Sequence, residues 1–264
     1  METVEQQINY DKVNQLVEIF NLIGSGNYNT SLLGEIIIQL APPHITAKEI
    51  AAAEQRLINA GCPAETAGHL SATFVVIALT ESTGGTVDLK TGLPYNHILR
   101  RIVAEHDMIR CFIADLTDVT AEIKPMNTLS ITSSEFMRLC HIAQHLKAME
   151  EHVRAEEDTI FPEMERHAWA SLCRDARNDH SYITISIGDL LSIVKSFGKS
   201  SIKFNEFRAK LIYVSDYLCP TMMIHLKKEE NTLFQIALAM IRDQRIWGRM
   251  KAQYDYIGYC GIHA

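Results

Sequence analysis

Two stretches of this chain repeat one phrase. Residues 150–164 read EEHVRAEEDTIFPEM and residues 223–237 read MIHLKKEENTLFQIA, so a histidine twice stands four places before the first of two adjacent glutamates, with an apolar residue and Phe behind. A helix turns about 100° per residue, so positions four apart diverge by only about 40° and share a face. His152 is thereby paired with Glu156, and His225 with Glu229. Glu157 and Glu230, one place further on, point about 140° away from the histidines, toward solvent or an outer shell.

Two further helical patterns each offer one histidine near the middle: His106 in VAEHDMIRCFI and His180 in RNDHSYITI. Ile102, Ile109 and Ile113 share the face of His106, which turns that imidazole toward a core. If four helices pack together, four imidazoles and two carboxylates converge on one interior point. Such groups are costly to bury unless a cation compensates them. Imidazole and carboxylate without thiolate favour iron or manganese, and two carboxylates suit a pair of metals that they bridge. Shared between two Fe ions, the six groups give each iron four protein ligands. An oxo or hydroxo bridge makes a fifth and leaves one position for a small diatomic ligand or peroxide.

Competing metal motifs are missing. No histidine has a glutamate three places before it, as ferritin-like di-iron bundles require, and His-Glu-x-x-His does not occur. The six cysteines are scattered singly, and most read as reduced, packed thiols. His145 lies two turns from His152, roughly 10 Å, too far for the same metal; with His141 it reads as a polar bundle end. His97 faces away from His106, and His44, His69, His167 and His263 are set aside. Asp107 and Asp179, beside His106 and His180, are candidates for an outer shell.

The elements that must position these groups are all helical. The first eighty or so residues read as short helices, one opening at Thr46 and Glu49 with capping-box spacing and ending at Gly61 and Pro63. TESTGGTVDLKTGLPYN reads as a linker, which puts a boundary near residue 90. Residues 1–90 are expected to form a small helical domain of unassigned role, and residues 91–264 a four-helix bundle with a tail. Its long patterns run from about Tyr95 to Leu116, Ser133 to Arg166 after a capping-box spacing at Thr132 and Glu135, Trp169 to Ser196, and Ile202 to Arg242. Pro220 is expected to kink or interrupt the last. The aromatic tail WGRMKAQYDYIGYCGIHA is expected to fold back on the bundle. The fold class is all-α.

Composition narrows the partners. A formal charge of −7 over 264 residues, with no basic helix face, argues against nucleic acid. No apolar run is long enough to span a bilayer, and the first residues lack the plan of a signal peptide, so a cytoplasmic protein is expected.

At AEHDMIR, HVRAEEDTIFP, DHSYI and HLKKEENTLF, in this order, the chain resembles the hemerythrin-like, or HHE cation-binding, family over roughly residues 95 to 245. The resemblance implies an up-down bundle with His106, His152, Glu156, His180, His225 and Glu229 as metal ligands. Oxygen-carrying hemerythrins place a second histidine four after the one on the third helix; here that position is Thr184. The pattern is similar instead to di-iron proteins implicated in iron-sulfur cluster repair and nitric oxide stress. The paired-cysteine motif that heads those repair proteins is missing. The N-terminal part looks more like a small helical domain that precedes some bacterial and archaeal hemerythrin domains, a subgroup that IGYC also fits. The implied function is binding or reduction of O2, NO or peroxide under oxidative or nitrosative stress, as a possible oxidoreductase. The alternative is an O2 or redox sensor or carrier acting through the N-terminal domain on a protein partner or a second copy.

Overall fold

A computed structural model describes residues 8–25, 36, 45–83, 87–167 and 169–257. His44, His263, Cys260, the end of the IGYC motif and part of the expected linker lie outside these. The described residues contain helices and no strand. By contacts the chain divides into two compact units: Met1–Asp88 with Phe161–Asp175 and Glu230–Gln244, and Leu89–Ile160 with Ala176–Glu229 and Arg245–Ala264.

In the first unit, α1 (Tyr10–Ser25), α2 (Ala47–Asn59) and α3 (Ala64–Thr83) pack on one another. Val13, Leu16 and Phe20 of α1 are buried, and the Phe20 ring meets Phe74 edge-on at 5.8 Å. The capping box forms as its spacing predicts. The Thr46 hydroxyl accepts from the Glu49 amide, and the Glu49 carboxylate accepts from the Thr46 amide at 2.8 Å, so two of the helix's orphan donors are satisfied. Gly61 follows α2 with φ +97°, a conformation only glycine adopts freely.

The second unit is built from α4 (Ile98–Ile123), α5 (Ser134–Lys147), the first part of α6 (Met149–Arg166), most of α7 (Ala170–Gly198) and α8 (Phe204–Lys228). Its apolar core includes Ile109, Ile113 and Leu116 of α4, Leu139 and Leu146 of α5, Ile183, Ile187 and Leu190 of α7, and Leu211, Leu218 and Met222 of α8. Ile109 stands three places after His106, Met149 three before His152, Ile183 three after His180 and Met222 three before His225. All four belong to one core cluster. Only helices that alternate in direction put apolar residues on the same side of all four histidines, so the bundle runs up-down-up-down.

Four local expectations need correction. The helix expected from Ser133 to Arg166 is broken at Ala148, whose amide bonds back to His145 and Leu146 in a tightened turn; no Gly or Pro announces it. The cap of α5 is Ser133, whose hydroxyl accepts from the Phe136 amide, and not Thr132. Of the kink or interruption expected at Pro220, the interruption does not occur, and helix α8 runs through it. Pro220 and Asp216, the residue whose carbonyl the proline leaves without its amide, are both exposed, so water can serve that carbonyl. The regular α-helix instead gives way at Glu229–Leu233, one π-helical turn, before α9 (Phe234–Met240).

The tail forms α10 (Gln244–Ile257), which buries Trp247, Met250 and Tyr254. It does return to the bundle. Trp247 lies against His97, the N-cap of α4, with ring centroids 4.6 Å apart, and Gln253 donates to the Asp158 carbonyl at 2.8 Å.

Candidate metal centre

Each histidine of the sequence pattern reaches the interior because the apolar stripe of its own helix faces that way. His106 follows Ile102 and precedes Ile109 on α4, and all three are buried. His152, Glu156, His180, His225 and Glu229 are buried too. The structure brings all six side chains together inside the second unit.

Their inner atoms meet in an ordered way. Glu156 Oε1 lies 3.6 Å from His106 Nε2 and 3.5 Å from His152 Nε2, while its Oε2 lies 3.5 Å from His180 Nε2. Glu229 Oε2 lies 3.4 Å from His106 Nε2, and its Oε1 lies 3.4 Å from His180 Nε2 and 3.3 Å from His225 Nε2. Each carboxylate therefore turns one oxygen to each pair of imidazoles. Two groups emerge that could hold a metal ion, His106 with His152 and Glu156, and His180 with His225 and Glu229. In each, the donor atoms all lie within 4.8 Å of one another.

Whether these residues suit a cation can be judged from their hydrogen bonds. All four oxygens of Glu156 and Glu229, and His152 Nε2, are buried without a hydrogen-bond partner. A buried polar atom left so costs about 1–3 kcal/mol, more when charged. Five at one point suit a cation better than an apolar core, and a set of only nitrogen and oxygen donors suits a divalent transition metal.

The electrostatics agree with that donor set. Burial and the neighbouring Glu229 carboxylate push the Glu156 carboxyl upward, but His152, His106 and His180 outweigh them and hold it below the usual range. Burial likewise raises Glu229, and His225 and His180 reverse this to hold it well below. Burial pulls His180 down, yet Glu156, Glu157 and Glu229 carry it well above the ordinary imidazole value. His225 is raised against burial by Glu229 and Asp179.

The outer nitrogens of His152 and His180 are held by carboxylates. Glu157 Oε1 is 2.8 Å from His180 Nδ1, so the residue expected in solvent or an outer shell lies in the latter. Asp179 Oδ2 is 3.6 Å from His225 Nδ1 and accepts from Lys228 at 3.1 Å. Asp107 is not part of this shell; it pairs with Lys90 and Arg110 at the surface. Glu105 takes the place next to His106 instead: its Oε2 lies 2.8 Å from His152 Nδ1 and accepts from the Tyr254 hydroxyl at 2.9 Å. Neither Glu105 nor Tyr254 was singled out by sequence reasoning. His145 stands apart from the site, stacked on Phe112 at 4.5 Å with His141 beside it.

A profile of the hemerythrin HHE cation binding domain matches residues 97–237. The chain belongs to this family. The matched span covers more than half of the chain and contains all six inner residues. A comparison with curated proteins finds no match. The outer carboxylates Glu105, Glu157 and Asp179 fall within the hemerythrin domain, whereas Tyr254, which donates to Glu105, lies beyond its matched span. No helix among the described residues is long and apolar enough to cross a membrane.

Proposed function

We propose that this hemerythrin domain holds two iron ions and uses them to bind or reduce O2, NO or peroxide in defence against oxidative or nitrosative stress, with iron-sulfur cluster repair as one form of that service. The observation that carries the reading is the pair of carboxylates, each with one oxygen toward His106 and the other toward His180. His106, His152 and Glu156 would hold one ion, and His180, His225 and Glu229 the other, with Glu156 and Glu229 as bridges. When bound, such an iron pair supplies one-electron redox steps and a coordination position for a small ligand.

The chain's own residues prepare that chemistry. Glu105 and Glu157 accept from the Nδ1–H of His152 and His180, which leaves the Nε2 lone pairs pointing inward and fixes the ring orientations. The apolar residues one turn away, Ile109, Met149, Ile183 and Met222, keep water from that side. Glu157 and Asp179, both partly exposed and in contact with the imidazoles of the second group, are placed to pass protons between solvent and the site.

The test is metal content and ultraviolet-visible absorption of anaerobically purified protein before and after air, beside a His152→Ala, Glu156→Ala double variant. Two irons per chain, with bands that the variant loses, support the site. Consumption of NO or peroxide under a reductant then supports the oxidoreductase, and a reversible spectral change without consumption supports the sensor or carrier. Folded wild-type protein that takes up no iron would overturn the reading.

A further inference from the structure

The two halves of the site are backed differently. Behind the His180 and His225 half, Glu157 and Asp179 are 29% and 27% exposed, and each has a cation within reach, Arg177 at 3.9 Å and Lys228 at 3.1 Å. Behind the other half, Glu105 is 2% exposed and, among the described ion pairs, faces only the His152 imidazole and no Lys or Arg. Its Oε2 accepts two hydrogen bonds, from His152 and Tyr254, and its Oε1 is buried with no partner.

A buried carboxylate with no Lys or Arg beside it is expensive unless positive charge is supplied through its other partners. The nearest source is the inner group, reached through the His152 ring. Tyr254 is itself 1% exposed and comes from α10, 149 positions along the chain from Glu105. Its hydroxyl is therefore the fixed point that orients Glu105, and Glu105 orients His152.

We propose that Tyr254 is a positioning residue of the metal centre, acting through Glu105 on the His106, His152 and Glu156 half, so that cation occupancy of that half and docking of α10 favour each other. The coupling follows from linkage: an arm that improves metal affinity when docked must itself dock more firmly when metal is bound. The inference rests on the metal reading above. Tyr254 touches no inner atom, and its effect passes through hydrogen bonds whose loss at comparable sites costs about 10–100-fold in metal affinity.

The experiment is an anaerobic Fe(II) titration of the full chain, read together with amide hydrogen exchange over residues 244–257 with and without metal. Wild type, Tyr254→Phe, Glu105→Gln and Tyr256→Phe are compared, the last a control on an exposed tyrosine of the same helix. In Tyr254→Phe and Glu105→Gln, one of two Fe(II) equivalents should weaken about 10-fold or more while the other holds. Metal should slow exchange in α10 of wild type and Tyr256→Phe, and this slowing should be largely lost in the other two. Wild-type protein that binds no Fe(II) would defeat the metal reading itself. Wild type binding two equivalents, with Tyr254→Phe indistinguishable in both readouts, would defeat only the present inference. A Tyr254→Phe protein that does not fold leaves Glu105→Gln to decide, by the same two readouts.

Discussion

At the scale of single residues, the two glutamates carry the most weight, because each faces both pairs of imidazoles. Glu156→Ala should therefore reduce bound iron in both halves, whereas His152→Ala should remove one equivalent and retain the other; metal analysis of desalted protein measures the difference. Equal losses in the two variants would contradict the division into halves. That His152 and Glu156 share a face follows from the helical period alone, as does the pairing of His225 with Glu229, so the inner group was legible in one dimension. The outer shell was less so. Glu105 and Asp107 flank His106 on either side, about 100° away in opposite senses, and only the packing of α4 decides which one turns inward. Tyr254 had no local signal at all, since its partner lies far away in the chain.

At the scale of elements, capping and proline chemistry give two checks. Ser133→Ala removes the hydroxyl that accepts from the Phe136 amide and should cost about 1 kcal/mol of stability, while Thr132→Ala should cost only a few tenths. Denaturant unfolding of the pair would show which residue caps α5. Sequence spacing favoured Thr132 because Glu135 stands three places on, yet Ser133, one place later, carries a hydroxyl that caps the helix without a reciprocal glutamate. Pro220 is the second check. It lies inside a continuous helix, so Pro220→Ala restores a backbone donor and should raise stability by about 1 kcal/mol or more. A loss of stability there would mean the proline's shape is needed. The break at Ala148 and the π turn at Glu229–Leu233 carry no composition signal, because both arise from how the helix packs and not from any residue's backbone preference.

At the scale of the molecule, the apolar core of the second unit extends through Leu139, Leu190, Leu211 and Leu218, away from the histidines. Protein stripped by a chelator should keep its far-ultraviolet circular dichroism but melt earlier. Metal at 100 times its dissociation constant adds about 2.7 kcal/mol, which at roughly 2–4 °C per kcal/mol for a chain of this size is a shift of several degrees. A collapse of helicity on stripping would show that the bundle needs its ion to fold. The all-α class and the order of the bundle helices were readable because most of the long segments are amphipathic with the 3.6-residue period.

The unequal exposure of the outer carboxylates has a consequence in time. Water reaches Glu157 and Asp179, behind His180 and His225, but is shut out from Glu105 behind His152. A chelator acting on loaded protein should accordingly draw off one ion quickly and the other slowly, in two separated phases. Between them stands a half-stripped species with its dry side still filled. Refilling that species with a different divalent metal would give a heterometallic pair of known order, each ion with its own spectrum. A single release rate for both ions would show that the exposed and the sealed carboxylates set no difference in lifetime.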